Sequence, residues 1–493
     1  MSCEFKKISR REFLSRSSKT AAGIVTATTL ASYTESQAST DTKSQVIGAN
    51  EKINIAVIGI HSRGMELAKG FAGIPGVHIK TLCDVDENLF PERVKEIGEI
   101  QGAPPSTSYD LRRVFDDKDI DAVAIAAPNH WHALAAIWAC QSGKDVYVEK
   151  PCSHNIWEGR KMVEAARKYN RFVQVGFQNR SISNIRQAIK FLHDGKLGEI
   201  YMARGLCFKP RDTIGKCADG LGTGKDYEYY VWSKKGTCYD SDYLKGVHYD
   251  LWLGPAPQRP FNYNRFHYNW HWHWNYGNGD IGNQGPHQFD VARWGMNKNE
   301  HPVKVSSSGG YFAFDSDQQT PNTQTAVFEY ADGKILQFEV RGLYTNGESA
   351  IASGQESKQQ EDITVGNLFF GTQGWMSING SIWKTYFGRK NEPGPSSETV
   401  EPAADPMNLA GAGADAHFGN FIRALRSGKK ENLTCDIEVG YLSTVLPHLA
   451  NISYLLGRNL AFDGSSEKFV NDEQADRLLT RKYREPYVVP ETV

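Results

Sequence analysis

The sequence predicts an α/β protein in which a doubly wound parallel sheet is followed by an α+β domain with a mostly antiparallel sheet. Two observations predict this fold class. From residue 52 to residue 178, short apolar runs alternate with helical patterns, which is typical of parallel βα units. Beyond that point, strand-like runs separated by turn residues follow one another with few helices between them, which is typical of antiparallel pairing. The 493 residues are sufficient for two such domains.

The chain divides into five predicted parts. They are a signal peptide at 1–38, a polar linker at 39–51, a parallel-sheet domain at 52–178, an α+β substrate and oligomerisation domain at 179–475, and a C-terminal tail at 476–493. The first part matches a twin-arginine signal, because Arg10 and Arg11 precede a short, weakly apolar stretch and a small-residue cleavage site. The alternative is a disordered tail that contains an arginine pair. We predict export through the twin-arginine machinery to the periplasm or beyond, without a permanent membrane anchor.

Composition narrows the class of substrate. The 56 basic and 57 acidic residues nearly cancel, so the sequence predicts no nucleic-acid partner and favours a small neutral ligand. The 11 Trp and 22 Tyr provide flat apolar faces that suit stacking under sugars, although aromatic residues also fill cores. Eight cysteines are too few for a disulfide scaffold, and those at 83, 140 and 152 are expected to be free thiols. The sequence leaves open whether Cys207, Cys217 and Cys238 pair.

The parallel-sheet domain begins with a strand, a tight turn and a helix that suit a dinucleotide pyrophosphate. Gly59 permits the sharp turn, Gly64 lets the helix approach the strand, and the helix N-terminus offers free N–H groups. His61, Ser62 and Arg63 complete the predicted cofactor loop. His61 replaces the middle glycine of a GxGxxG motif and crowds the phosphate. The alternative is a plain βα turn.

The second strand, at 77–83, ends in Asp84, which lies about twenty residues past Gly64 as in dinucleotide-binding βαβ units. An acidic side chain there binds a ribose 2′-hydroxyl and repels a 2′-phosphate. Asp84 therefore favours NAD over NADP, and Arg63, which could accept the extra phosphate, is the opposing signal. The sequence predicts a Rossmann domain with NAD as cofactor and NADP as the less favoured one.

Two polar clusters follow later strands of this domain, at the sheet edge where ligands bind. They are Pro128, Asn129 and His132 after one strand, and Glu149, Lys150 and Pro151 after the next. A Rossmann domain with a Pro-Asn-x-x-His cluster and a strand ending in Glu-Lys-Pro resembles the Gfo/Idh/MocA family of glucose-fructose oxidoreductases and inositol dehydrogenases. The resemblance extends from about residue 52 to residue 458.

The resemblance implies a role for each cluster. Lys150 is expected between nicotinamide and substrate, where an ammonium stabilises the negative charge that develops on oxygen during hydride transfer. Pro128, Asn129 and His132 are expected to line the cofactor pocket, with Glu149 beside them. In this family one face of the second sheet often forms oligomer contacts, so we expect a homo-oligomer. Without its position at a strand end, Lys150 would be interpreted as a solvated surface lysine.

Residues 266–276 alternate aromatic side chains with His or Asn. If this segment were extended, its six rings would share one face. Trp270, Trp272 and Trp274 are therefore candidates for a sugar-stacking wall, and the alternative is a core strand with a polar outer face. The histidines between the rings lack an obvious carboxylate or cysteine partner, so no metal site is predicted.

The next segment, at 277–290, resembles the family's second active-site motif, in which an Asp and a His four residues apart face the substrate. His287 occupies the His position, but Asn283 occupies the Asp position. An amide orients a hydroxyl without taking its proton, so His287 is the lone general base of the motif, with a pKa expected near the working pH. Asp280 is a conceivable replacement for the acid, and Asp290 is better explained as a structural partner on the helix.

Three functions follow from these features. The first is an oxidoreductase that transfers hydride between NAD and a hydroxyl of a carbohydrate or polyol. Free NAD is scarce outside the cytoplasm, and the twin-arginine route carries folded proteins, so a tightly bound cofactor is expected. The second is a redox-neutral glycosidase or lyase that acts through a transient keto-sugar. The third is a non-catalytic carbohydrate-binding protein, which Asn283 would support and the retention of Lys150 and His287 opposes.

Overall fold

Two sheets organise the protein in a computed structural model of the chain, which describes residues 52–220, 229–231, 234–236, 244–345, 364–380, 382–400 and 414–493. The predicted signal peptide and linker at 1–51 and the thiol of Cys238 lie outside these residues. None of the described helices is long and apolar enough to cross a bilayer.

The first sheet is parallel throughout and has the strand order β3-β2-β1-β4-β5-β6. Its strands are β1 (Ile53–Ile58), β2 (Val77–Cys83), β3 (Ser106–Ser108), β4 (Ala122–Ile125), β5 (Asp145–Val148) and β6 (Val173–Val175). The intervening helices are α1 (Ser62–Ala72), α2 (Phe90–Gln101), α3 (Leu111–Asp116), α4 (Asn129–Gln141) and α5 (Ile156–Lys168). Every residue of β4, β5 and β6 is buried, and all except Asp145 and Gln174 are apolar or aromatic, as expected of strands covered on both faces. The order reverses between β1 and β4, and such a reversal opens a ligand crevice at the carboxyl ends of the strands.

The second sheet has ten strands in the order β16-β15-β14-β13-β7-β12-β11-β10-β17-β18. The strands are β7 (Ile200–Cys207), β10 (Lys304–Gly310), β11 (Thr323–Glu329), β12 (Ile335–Arg341), β13 (Val365–Gly371), β14 (Gly374–Asn379), β15 (Ile382–Phe387), β16 (Glu392–Ser396), β17 (Leu460–Asp463) and β18 (Lys468–Phe469); β8 (Tyr229–Val231) and β9 (Lys234–Gly236) form a separate hairpin. Neighbours pair antiparallel except β7 and β12, which pair parallel. The predicted fold class is confirmed.

Helices cover one face of this sheet. They are α6 (Ser183–His193), α8 (Gly279–Asn283), α9 (Gly285–Gly295), α11 (Ile437–Leu456) and α12 (Glu473–Asp476). Two further helices pack on the first domain instead: α7 (Tyr249–Leu253) lies beside Trp131 of α4, and α10 (Ala414–Ser427) packs on α1. Burial alternates strictly along β11 and β12, which leaves one apolar face for α9 to cover. Phe289 of α9 lies 4.5 Å from Phe338 of β12, measured between ring centroids. One hydrophobic core therefore runs from the parallel sheet, through α9, into the second sheet.

The aromatic segment is not the strand that its alternation suggested. Asn269–Trp272 forms a 3-10 turn, and His267 has a positive φ of 50°, which breaks an extended backbone. The rings therefore diverge. Phe266 and Tyr276 are buried in a cluster around Trp252, and Trp270 faces the crevice of the first sheet. Neither a single stacking wall nor a core strand is formed.

Candidate active site

A cavity of about 460 Å³ lies at the carboxyl ends of the parallel strands, within the usual size range of ligand sites. It brings together residues that the sequence predicted separately from the two halves of the chain. These are Gly59, His61, Ser62, Arg63, Gly64, Asp84, Pro128, Asn129, His132, Glu149, Lys150, Trp270, Asn283 and His287. All the predicted cofactor residues thus share one cavity with Asn283, His287 and Trp270 of the predicted substrate site.

The turn after β1 has no room for a side chain at either of its two glycines. Gly59 has a φ of +81°, and a Cβ there would lie 2.8 Å from the backbone of Ala126 at the end of β4. A Cβ on Gly64 would lie 1.6 Å from the carbonyl oxygen of Gly59. Both positions are therefore closed to side chains, and the backbone of the turn faces the cavity directly. The ring of His61 stacks on His267, with centroids 4.7 Å apart.

Asp84 joins the end of β2 to this turn. One of its carboxylate oxygens accepts a hydrogen bond from the Ile60 amide at 2.7 Å, and the other accepts from the Asp86 amide at 3.0 Å. Burial raises the pKa of Asp84, and these two amides oppose the rise. The carboxyl group lines the cavity where a dinucleotide places its adenosine ribose.

Arg63 is held by two carboxylates. Its Nε donates to Glu149 at 2.8 Å and its Nη1 donates to Glu66 at 2.6 Å. Glu149 is buried, and although burial raises the pKa of its carboxyl, the charges of Arg63 and Lys150 outweigh this effect and lower the pKa overall. An NADP 2′-phosphate would have to compete with both carboxylates for Arg63.

Lys150 and Asn283 meet at the other end of the cavity. Lys150 Nζ donates to the backbone oxygen of Asn283 at 2.7 Å and lies 3.4 Å from the side-chain oxygen of the same residue. Burial lowers the pKa of Lys150 to about 8; Glu149 opposes this shift, and Arg63, Lys209 and Arg211 add to it. A lysine with this pKa exchanges a proton near neutral pH.

His287 does not have the near-neutral pKa that the sequence suggested. Burial lowers its pKa well below the ordinary value, and the charge of Lys150 lowers it further. Its buried Nδ1 has no hydrogen-bond partner within the described residues. The imidazole is therefore neutral at physiological pH, with one ring nitrogen left for a ligand, and Lys150 is the group of this pair that titrates there.

Asp280, Trp272 and Trp274 do not line the cavity. The buried carboxylate of Asp280 forms an ion pair with Arg211 at 2.7 Å, so it cannot replace the missing acid beside His287. Arg211 also lies over the ring of Trp272, with its guanidinium carbon 5.0 Å from the ring centroid. The ring of Trp274 lies 6.4 Å from that of Tyr454. The 3-10 turn, which a pattern of alternation cannot predict, turns these rings away from Trp270.

The helix that carries His287 is fixed by a buried polar network. The Asp290 carboxylate accepts one hydrogen bond from Arg180 Nε at 2.8 Å, one from Arg180 Nη2 at 2.8 Å and one from Ser443 Oγ at 2.7 Å. The Arg293 Nε donates to the same Ser443 at 2.9 Å. The network ties α9 to α11 and to the turn after β6. Asp290 is thus a structural partner, as its place on the helix suggested.

Several lining residues were not predicted. Tyr268 lies in the aromatic segment beside Asn283, and its pKa is raised by burial while Arg211 opposes the rise. Gln178 donates to Glu149 at 3.1 Å, and Arg112 follows the short strand β3. Tyr487 comes from the predicted C-terminal tail. The regular alternation could have pointed to Tyr268, but no sequence pattern marks the other three.

Family comparisons match both sheets. Two family models match: GFO_IDH_MocA, "Oxidoreductase family, NAD-binding Rossmann fold", over residues 53–177, and GFO_IDH_MocA_C2, "Oxidoreductase family, C-terminal alpha/beta domain", over residues 216–365 and 406–489. The two matches together cover well over half of the chain and both parts of the cavity.

Individual relatives match shorter segments. A glycosyl hydrolase family 109 protein of Saccharopolyspora erythraea is 27% identical over 208 residues, 40% of this chain and 45% of the relative. A levoglucosan dehydrogenase of Pseudarthrobacter phenanthrenivorans is 37% identical over 159 residues, 31% of this chain and 40% of the relative. The chain thus spans less than half the length of both. The solved aldose-aldose oxidoreductase of Caulobacter crescentus shares the fold, with a TM-score of 0.58 and 17% identity over 83% of this chain and 100% of that one.

Proposed function

The chain belongs to the Gfo/Idh/MocA oxidoreductase family, and from that premise we propose that it is an NAD-dependent enzyme that oxidises a hydroxyl of a carbohydrate or polyol. The observation that carries the proposal is the position of Lys150. Its Nζ lies 2.7 Å from Asn283 in the same cavity as the glycine turn, with His287 beside it. A cofactor and a substrate bound in this cavity would share Lys150.

The cavity fits a dinucleotide. Side chains at Gly59 and Gly64 would fill the space next to the turn, and their absence leaves the backbone open to a pyrophosphate. Asp84 stands where an acidic group binds an adenosine ribose, and the two carboxylates around Arg63 disfavour an added 2′-phosphate. We therefore propose NAD over NADP. Bound NAD would accept the hydride of the substrate's carbinol carbon.

Residues of the chain handle the proton and the charge. The substrate hydroxyl is placed by His287, whose neutral ring can donate to or accept from it, and by the Asn283 amide. Lys150, with a pKa of about 8, is about one-tenth neutral at pH 7 and in that form accepts the hydroxyl proton. In the reverse direction the ammonium returns the proton and stabilises negative charge on oxygen.

The direct test is cofactor content followed by substrate screening. The protein is purified without added nucleotide and denatured, and the released NAD(H) is quantified by absorbance and mass spectrometry. We expect near-stoichiometric release, and reduction of the bound cofactor when sugars or polyols are added. The variant Lys150→Met is expected to retain the cofactor, but the rate at which substrate reduces this cofactor should fall by at least about a hundredfold. A protein that neither contains nor binds NAD would contradict the proposal and favour a non-catalytic carbohydrate-binding protein.

A redox-neutral glycosidase is the second candidate, and the glycosyl hydrolase family 109 name of one relative favours it. In this reaction a sugar hydroxyl is oxidised to a ketone, which acidifies the neighbouring C–H. The glycosidic substituent is then eliminated, water adds, and the ketone is reduced again. Release of nitrophenol from a nitrophenyl glycoside, with solvent deuterium incorporated and no net NADH, would identify this reaction. Stable accumulation of NADH without release of nitrophenol would favour the dehydrogenase.

Export and oligomerisation are further proposals. We propose that residues 1–38 direct export of the folded, cofactor-loaded enzyme through the twin-arginine machinery to the periplasm. The change of Arg10 and Arg11 to lysine should retain the protein in the cytoplasm, which cell fractionation would show. We also propose a homo-oligomer, for which light scattering of the purified enzyme is the measurement. Retention of a tightly bound cofactor would explain how an exported enzyme operates without free NAD.

A further inference from the structure

The C-terminal segment at 477–493, which we name the C-terminal strap, lies across the parallel-sheet domain. Arg481 anchors its first part: Nε donates to the buried Glu158 of α5 at 3.1 Å, and Nη2 donates to the backbone oxygen of His130 in α4 at 3.0 Å. Tyr483 donates to the same Glu158 at 3.0 Å. The strap is thus bound to the first turns of α4 and α5, and the N-terminal end of α4 lines the cavity.

A second anchor follows three residues later. Arg484 donates from Nε to the Gly254 oxygen at 2.8 Å and from Nη1 to Asp250 at 2.7 Å. The Tyr487 amide then donates to the Arg484 oxygen at 2.8 Å, which turns the chain back toward the sheet. Val489 is buried further along. These contacts fix the strap before and after Tyr487.

After the second anchor and before the buried Val489, Tyr487 enters the cavity wall. Its side chain is only 4% exposed and packs edge to face on Trp131 of α4, with ring centroids 5.4 Å apart. The Arg112 guanidinium lies 5.9 Å from the centre of the Tyr487 ring. Trp131, Arg112 and Tyr487 all line the cavity. A residue near the end of the chain therefore completes a site that begins at the first strand.

The strand order identifies which end of the cavity this is. Arg112 follows β3, which lies outside β2 in the sheet, whereas Lys150 follows β5 on the opposite side of β1. Asp84, at the end of β2, marks the adenosine ribose. The base attached to that ribose must then extend toward β3, where Arg112 and Tyr487 stand. The Arg112 guanidinium is a suitable surface for a purine, and the Tyr487 ring, which also lies 4.9 Å from the Arg484 guanidinium carbon, supports it from behind.

We propose that Tyr487 of the C-terminal strap forms part of the binding site for the adenosine half of NAD. The inference rests on the proposed binding of NAD. Because the anchors hold the strap on α4, α5 and the turn after α7, Tyr487 is a fixed part of the cavity wall that would add to the affinity for adenosine.

The test compares ligands that carry different halves of the cofactor. ADP-ribose and nicotinamide mononucleotide are titrated by calorimetry into the full chain after charcoal treatment. Tyr487→Ala should weaken ADP-ribose binding about tenfold and leave nicotinamide mononucleotide within about twofold, while Tyr487→Phe, which keeps the ring, stays within about twofold for both. Val489→Ala is the matched control, because it shortens another buried side chain of the strap that does not line the cavity.

The outcomes separate the strap from the proposed function. The role of Tyr487 would be overturned if Tyr487→Ala and Val489→Ala weakened ADP-ribose binding equally, or if neither weakened it. A wild-type protein that binds no ADP-ribose would overturn the proposed function together with the strap. If Tyr487→Ala does not fold, hydrogen exchange of the wild-type protein decides. ADP-ribose should protect the amides of residues 484, 485 and 487–489, and unchanged exchange there would refute the proposal.

Discussion

Replacing Asn283 by Asp tests the electrostatics of the reaction end directly. The Asn283 side-chain oxygen lies 3.4 Å from Lys150 Nζ, whose pKa is about 8. At that separation opposite charges attract by about 2 to 5 kcal/mol for an effective dielectric constant of about 20 to 40, and one pKa unit corresponds to about 1.36 kcal/mol. Asn283→Asp should therefore raise the pKa of Lys150 by about two units or more, to about 10.

Competitive acetylation measures this pKa without a known substrate. Only neutral amines react, so the extent of Lys150 acetylation is followed by mass spectrometry between about pH 6 and pH 11, a range that spans lysine titration. Lys95, whose side chain is 77% exposed, is the internal reference in the same digest. Asn283→Ala is the control variant, because it removes the side-chain oxygen without adding a charge.

The outcome has a consequence for catalysis. In the proposed mechanism oxidation needs neutral Lys150, so the oxidation rate should rise with pH through about 8 in the wild type and through about 10 in Asn283→Asp. Acetylation of Lys150 that follows Lys95 in the wild type would refute the argument that burial lowers its pKa. An unchanged titration in Asn283→Asp would refute the argument that this position controls the charge of Lys150.

Three further substitutions test the cofactor site and the fold. Gly64→Ala places a methyl group 1.6 Å from the Gly59 oxygen, so the turn must open and NAD-dependent thermal stabilisation should be lost. Asp84→Ser removes the charge that repels a 2′-phosphate, and titration of both cofactors should show the preference for NAD over NADP falling by about tenfold or more. Asp290→Ala leaves the buried Arg180 without its carboxylate, and urea unfolding should show a loss of about 3–5 kcal/mol.

Matched variants separate these effects from general damage. Gly73→Ala meets only ordinary contacts of 3.5 Å and should leave NAD binding unchanged. Lys190→Ala breaks an exposed ion pair with Asp194 and should cost less than about 1 kcal/mol. The first prediction would be contradicted if both glycine variants lost NAD-dependent stabilisation equally. The second would be contradicted by an unchanged cofactor preference in Asp84→Ser. The third would be contradicted if Asp290→Ala lowered the free energy of unfolding no more than Lys190→Ala does.

The parallel sheet could be predicted in detail because its signals are local. A fully buried strand requires an apolar run, and a turn against a neighbouring backbone requires glycine, so β1, Gly59 and Gly64 leave their marks in the sequence. Lys150 and His287 were also identified, although from the resemblance of their motifs. Lys150 follows a strand of the parallel sheet, whereas His287 reaches the same cavity from α9 in the second half of the chain, so their approach depends on how the two halves pack.

Other features depend on contacts between distant residues. The alternation at 266–276 indicated a strand, but the positive φ of His267 and the following 3-10 turn satisfy packing around Trp252 instead. The pKa of His287 could not be predicted because it depends on burial and on Lys150, which lies far away in sequence. Strands β14–β16 are short, and β16 contains two prolines, so they carry little strand signal.

The polar network around Asp290 has a consequence for how substrates would be selected. Because Arg180 and Ser443 hold α9 in place, the conformational entropy of positioning His287 is lost when the chain folds and not when a substrate arrives. Such a preorganised site needs no hinge motion to assemble. New sugar specificities would then arise by replacing the side chains around Lys150 Nζ and the His287 ring, while the distance between these two groups stays the same.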